Sequence, residues 1–448
     1  MRFSELEGRR VGVWGAGREI SSFARALATH LPAAEIAVAA FDDPPPAEEV
    51  RSRLGVASPQ IVGAADAQAA LSACEVVVRS PGASIHKPQL AALSREGVPV
   101  TTATALWLAE HGPRGVLAVS GTKGKSTTAA LTAHLARAGG VTTALAGNIG
   151  VPALDLLDAE PSRLTVLELS SYQIADLQKG PETVLMTNLF KEHTEWHGSE
   201  DAYRSEKLRL LSLPEVRTAV LNAREPAFED AVAGAEVVRY GDPAGWDAGP
   251  GGVSRAGHPM LEPEQLPLAG EHNALNLAGA LAALEALGIE PPLPAAVSGF
   301  EPLPHRLQLV GEHDGVAWVN DSISTTPEST IAALASFPGR ELLLIAGGQD
   351  RGQDYSGLGG AVARVGATVI GVPSTGARVL EAARAAGLPE GRAVQADDLQ
   401  EAVAVAREHA APGAVVLLSP GAPSFDHYRD FEERGERFSE LAGAAARA

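Results

Sequence analysis

From Val116 to Ala138 the chain reads VLAVSGTKGKSTTAALTAHLARA: an aliphatic run, a turn punctuated by glycine, then an alanine- and leucine-rich helical pattern. Strand, glycine loop and helix in that order make a seat for phosphate. Gly121 and Gly124 let successive backbone N–H groups turn toward an anion, the helix N-terminus adds partial positive charge, and Lys125 supplies a cation on a flexible stem. Thr122 and Lys123 lie within the loop, and Ser126 or Thr127 can offer a hydroxyl to Mg2+. The usual spacing G-x-x-x-x-G-K-[ST] would place glycine at 119, where Val119 stands, so this is a shortened variant. The competing reading is a glycine-rich turn with two surface lysines; the strand-to-helix context favours phosphate.

Downstream, LTVLELSSYQ sets Glu168 near the carboxyl end of a second strand, where α/β sheets gather ligands. A carboxylate there suits Mg2+, the alternative being a buried glutamate paired to a lysine. In KEHTEWHGSEDAYRSEKLRLL, His193 and His197 stand four apart, but Glu195 falls midway between them instead of beside the first. That is not the H-E-x-x-H pattern of a zinc protease, and no third ligand of the usual spacing follows.

The elements that must position these groups are short β-branched runs alternating with helical stretches. VGVWG, EVVVRSPG, VLAVSG, LTVLELS, TVLMTNL, VAWVNDS, LLLIAGG, ATVIGVP and AVVLLSPG read as strands of parallel sheets covered by helices, an α/β fold. Three blocks separate, 1–112, 113–302 and 303–448, with glycine- and proline-rich joints between them. Asp242 to Leu268, rich in the same two residues, is expected to form loops and short antiparallel strands.

A formal charge of −19 over 448 residues argues against a nucleic-acid partner, so phosphates must be held locally by N–H groups and a few cations. No apolar run reaches the roughly 18 residues of a membrane span, and the start, MRFSELEGRRVGVWG, lacks the layout of a secretion signal. A cytoplasmic protein without a membrane partner, and a monomer, is expected. The single cysteine, Cys74, reads as a small buried apolar residue.

Taken together, GTKGKST, GNIG at Gly147–Gly150, LELSSYQ, EHTEWHG with SEKLRL, GEHNALN, LPHRL, NDSISTTP and LLSPGAPSFDHYRDFEERG resemble the Mur ligase family, in its order and along essentially the whole chain. The resemblance implies an N-terminal Rossmann-like domain holding a UDP sugar, a central P-loop ATPase with a parallel sheet, and a C-terminal Rossmann-like domain that takes the amino acid and closes. It implies ATP and two Mg2+ ions, with a UDP-N-acetylmuramoyl substrate activated as an acyl phosphate. By motif, Lys125 and Ser126 would hold phosphates and metal, and Glu168 and His193 would ligate metal. Lys207 would do so as a carbamate. Asn148 would contact the sugar nucleotide, beside Gly15, Gly17, Arg18, Ser80, Pro81, Gly82, Ser170 and Gln173. His272, Asn273 and Asn276 match the adenine region, and Arg306 and Asp321 match residues brought to the nucleotide.

Within the family, Ser424, Phe425 and Phe431 resemble the glutamate-adding pattern. Ile323 in NDSISTTP and Arg351 in GGQDRG stand where D-glutamate-adding members carry lysines, and Thr325 follows in the same segment. A lysine is a point charge and an arginine a planar fork, so the amino-acid pocket differs, and the substitutions resemble the subfamily that adds L-glutamate. UDP-N-acetylmuramoyl-L-alanine and glutamate are thus the implied substrates. A folylpolyglutamate synthetase would share the loop and the carbamylated lysine without needing a uridine block, for which GAGRE, Asp42, Asp43 and RSPGAS provide. A non-catalytic nucleotide-dependent switch is disfavoured by the retained Lys125, Glu168, His193 and Lys207.

Overall fold

A computed structural model describes residues 1–190, 194–268, 270–301 and 303–443. The chain forms two compact units, Met1–Phe300 and Glu301–Ala448.

The first unit contains two sheets. In the smaller, strands Gln60–Val62, Glu35–Ala40, Arg10–Trp14, Val76–Arg79 and Val100–Thr101 lie side by side in that order, all parallel. Chain order reverses between Arg10–Trp14 and Val76–Arg79, leaving a crevice beyond their carboxyl ends where Gly15–Arg18 and Ser80–Gly82 emerge. The helix Arg18–His30 covers one face, burying Ile20, Phe23 and Leu27 against Val11, Val13 and Val78.

The larger sheet has nine strands. The strand Val116–Ser120, which leads into the Gly121–Gly124 turn, runs parallel between Leu164–Glu168 and Thr183–Met186, and Val119 pairs with both Glu168 and Leu185. All five of its residues are buried, the signature of a parallel strand covered on both faces. At the far edge Trp246–Gly249, Gly252–Arg255 and His258–Leu261 form antiparallel hairpins, as expected for the glycine- and proline-rich stretch.

In the second unit, Gln308–His313 pairs antiparallel with Val316–Asn320. Val415–Leu418, Leu342–Ala346, Thr368–Gly371 and Ala393–Gln395 then follow in parallel. All nine β-branched runs named from sequence are strands. No helix among the described residues is long and apolar enough to cross a membrane.

Candidate active site

The helix Lys125–Ala138 begins at Gly124, which caps it at φ +78. A Cβ there would lie 2.5 Å from the Asn276 amide oxygen, and one at Gly121, φ +136, would collide with the Thr187 hydroxyl. Both positions therefore require glycine for backbone conformation and for close approach. Ser126 and Thr127 are buried in the first turn. The Lys125 ammonium donates to the Thr122 carbonyl at 2.6 Å, so it lies folded back over its own loop.

Asn188, which the motif reading did not single out, shapes this loop. Its carbonyl accepts from the Thr122 N–H at 2.8 Å, its side-chain oxygen accepts from the Lys123 N–H at 2.7 Å, and its amide donates to the Lys123 carbonyl at 3.1 Å. The Thr122 hydroxyl is also committed, lying 2.7 Å from the Tyr203 hydroxyl and accepting from the Phe190 N–H at 2.9 Å. The loop is thus built in place by Thr187, Asn188 and Tyr203. The helix Glu271–Ala286 packs alongside, with Asn273 and Asn276 buried one turn apart, joined at 3.4 Å, and Asn276 directly beneath Gly124. Burial lowers the pKa of neighbouring His272.

Glu168 is completely buried. One carboxyl oxygen accepts from the Asn148 amide at 3.1 Å; the other has no hydrogen-bond partner among the described residues, and no lysine pairs with it. A buried acidic oxygen lacking a donor among the described residues, beside a glycine turn followed by a helix whose first turn carries Ser126, is a donor set that fits a hard divalent cation. Lys207, 1% exposed on the helix Glu200–Leu208, donates to the Gly121 carbonyl at 2.6 Å and lies 5.1 Å from the Tyr203 ring centroid. Lys207 and Glu168 therefore converge on the phosphate loop from elements 39 residues apart in sequence. His193 lies outside the described residues.

Toward the smaller sheet, the Arg18 guanidinium is spent on carbonyls of the GNIG turn: Gly147 at 2.8 Å, Asn148 at 2.9 Å and Gly150 at 3.2 Å. It fixes the loop that presents Asn148 to Glu168. Gly15 adopts φ +89 where a Cβ would lie 3.0 Å from that of Ser80, and the Ser80 N–H donates to the Trp14 carbonyl at 2.8 Å. Ser80, Pro81 and Gly82 follow on an open turn, with Lys87 bonded to Asp42 at 2.8 Å nearby. Ser170 and Gln173 form a capping box at the short helix Ser171–Ile174, and the Gln173 amide continues to Glu19, whose pKa is raised by burial.

Two further groups tie this region together. Arg79, wholly buried, donates to the Pro81, Ala83 and Tyr172 carbonyls, pairs with Asp176 at 2.7 Å and lies 5.3 Å from the Trp196 ring centroid. Glu206, the residue before Lys207, bonds His197 at 2.6 Å and His86 at 2.7 Å. The other His197 nitrogen meets the Ser171 hydroxyl at 3.0 Å. Burial raises the pKa of Glu206, but the two imidazole hydrogen bonds outweigh it and hold the carboxyl below its ordinary range.

In the second unit, Asp321 is buried at the end of its strand and accepts from Ser324 at 2.6 Å, Ser419 at 2.8 Å and the Leu307 N–H at 3.2 Å. Burial raises its pKa against those bonds and the nearby Arg306 charge. Thr325, Arg351 and Ser424 lie on the loops following three adjacent parallel strands. The Arg351 guanidinium sits 5.7 Å from the ring centroid of Phe425, itself 58% exposed. Ser424 is 2% exposed and its hydroxyl has no partner among the described residues. Phe431 opens the final helix, Phe431–Gly443, with its ring edge-on to His305.

Comparison with known proteins matches residues 119–284 to the Mur ligase middle domain and residues 305–421 to the Mur ligase glutamate ligase domain. A UDP-N-acetylmuramoyl-L-alanine–L-glutamate ligase of Xanthomonas campestris is 42% identical over 459 residues, covering 99% of this chain and 97% of that one. One from Salinispora tropica is 43% identical over 456 residues, covering 98% of each. Among solved structures, the MurF ligase of Thermotoga maritima in complex with ADP is similar in fold with a TM-score of 0.59 at 17% identity, covering 100% of this chain and 97% of that one.

Proposed function

The chain belongs to the Mur ligase family, and from that premise we propose that it joins L-glutamate to UDP-N-acetylmuramoyl-L-alanine using ATP, a cytoplasmic step of peptidoglycan precursor synthesis. The observation that carries the reading is the meeting of a phosphate loop, a buried lysine and a buried carboxyl oxygen without a donor at one point of the larger sheet.

Residues 1–112 hold the UDP sugar, 113–302 the ATP and 303–448 the glutamate. Loop N–H groups and Lys125 bind the triphosphate, Lys125 exchanging the Thr122 carbonyl for phosphate oxygens. The alanyl carboxylate attacks the γ-phosphorus and ADP leaves, which converts a poor acylating group into an acyl phosphate. The glutamate amine then attacks the carbonyl carbon, inorganic phosphate departs, and the amine loses its proton. Glu168, Ser126, His193 and Lys207 as a carbamate would hold Mg2+, which when bound offsets the negative charge gathered between carboxylate and phosphate. Arg18 and Asn148 keep the GNIG turn against Glu168, and Arg306 and Asp321 serve the nucleotide. Arg351, stacked on Phe425, offers the planar fork a carboxylate needs, and the Ser424 hydroxyl is an unused donor beside it.

The test is turnover with ATP, Mg2+ and UDP-N-acetylmuramoyl-L-alanine, offering L- and D-glutamate separately. Product with the L isomer is expected. Product with the D isomer alone would overturn the choice of amino acid, and phosphate release with a folate acceptor but not the muramoyl one would overturn the substrate class.

A further inference from the structure

We propose that Arg434 is a positioning residue of the glutamate seat, holding the Ser424 hydroxyl and the Arg351 loop in place for the carboxylate of the incoming amino acid. The inference rests on the proposed ligase reading and extends it to a buried residue of the final described helix.

Arg434 lies in the final helix and is 3% exposed. All five N–H donors are used, and every acceptor is uncharged. The Nε group donates to the Ser322 hydroxyl at 3.0 Å. One terminal nitrogen reaches the Ala422 and Pro423 carbonyls at 3.1 and 3.3 Å, and the other reaches the Ser322 and Ala422 carbonyls at 2.9 and 3.1 Å. No carboxylate among the described residues pairs with it. A guanidinium buried this way is expensive, and burial brings its pKa down to about 10. A buried apolar side chain would fill the same space without that penalty, so a brace alone is a weak account of the charge.

The geometry says what the charge fastens. Ser322 follows Asp321, and Ala422 and Pro423 precede Ser424. The Pro423 carbonyl also accepts from the Gln349 N–H at 2.8 Å, which brings in the loop carrying Arg351. Gly348 is fitted to this contact: at φ +152 it passes so close that a Cβ would collide with the Pro423 carbonyl and come 2.9 Å from Arg434 Nη1. The planar fork therefore pins two of these loops directly, and the Pro423 carbonyl ties in the third, all from adjacent strands. What they present is a buried hydroxyl with no acceptor among the described residues and a guanidinium stacked on an exposed ring. Such a buried donor points to an acceptor supplied by a ligand, and the guanidinium groups bonded at Pro423 and stacked on Phe425 favour an anionic one.

The experiment measures KM for glutamate, ATP and the muramoyl substrate separately in wild type, Arg434→Lys, Arg434→Met and Gly348→Ala. Lysine keeps the charge but not the fork, methionine removes both, and alanine at 348 displaces an intact arginine. In all three variants KM for glutamate should rise about tenfold or more, the size expected when charge-assisted hydrogen bonds are lost. The other two constants should stay within about twofold, as when one substrate's binding alone is weakened. An unchanged glutamate KM in Arg434→Lys and Gly348→Ala, or a rise in all three constants together, would overturn the assignment. Should Arg434→Met fail to fold, the other two variants decide it. A wild type that ligates no glutamate condemns the parent reading, whereas an active wild type with normal glutamate KM in the variants condemns Arg434 alone.

Discussion

Replacing Glu168 with glutamine should make the protein more stable and inactive, a pairing of signs that follows from its surroundings. The side chain is fully buried, keeps one hydrogen bond from Asn148, and leaves a second oxygen without a donor. Glutamine preserves shape and the oxygen that Asn148 needs, while removing an acidic group that is costly to bury. The glutamine amide also lacks a partner at that position, so only the added cost of a charged over a neutral polar group is relieved, about 1–2 kcal/mol, which for a unit of this size corresponds to a gain of about 2–4 °C in Tm. Scanning calorimetry without nucleotide or metal measures the gain. Turnover of the same variant with ATP and Mg2+ should fall at least about 100-fold, because an amide cannot replace a carboxylate toward a hard cation. A variant that melts lower than wild type, or that retains turnover, would refute the reasoning: the first would show that the acidic group is a stabilising partner, the second that it does not serve the chemistry.

Asn188→Ala removes two hydrogen bonds to Lys123 and should weaken ATP binding by about five- to thirtyfold, measured by calorimetric titration, with Asn188→Asp also weakened by a carboxylate set against the Lys123 carbonyl. Asp321 has a raised pKa, so its contribution to stability is complete below its ordinary value of 3.8 and is lost as pH rises through the folded-state value. Asp321→Asn should accordingly lessen the fall in Tm between pH 4 and pH 7, about which melting curves at matched salt are decisive. Glu206→Ala breaks the link from His86 to His197 and should raise KM for the muramoyl substrate together with a drop in kcat, since the same helix carries Lys207; unaltered kinetics would mark the link as incidental.

The strand, glycine turn and helix were legible because their parts are contiguous: Gly121, Gly124, Lys125 and Ser126 fall within six residues, and a strand and helix frame them. Strands rich in valine and leucine were equally plain. Glu35–Ala40, EIAVAA, and Thr143–Gly147, TALAG, were not, since alanine carries little strand signal and only their neighbours in the sheet settle them. What escaped altogether depends on distant pairings. Nothing local says that Asn188 will bracket a loop 65 positions earlier, that Glu206 will meet His86 across 120 residues, or that Arg434 will be swallowed by carbonyls of Ser322 and Ala422. Arg18 shows the same limit: nothing local says that its guanidinium will reach three carbonyls of the GNIG turn about 130 residues away.

The central claim is that ATP activates a carboxylate by phosphoryl transfer. Its most direct test is ligation of UDP-N-acetylmuramoyl-L-alanine carrying 18O in the alanyl carboxylate, with mass analysis of the released phosphate. One labelled oxygen per phosphate is predicted, because the bond from that oxygen to carbon breaks when the glutamate amine displaces phosphate. Unlabelled phosphate alongside ligated product, or label appearing in AMP, would contradict the account.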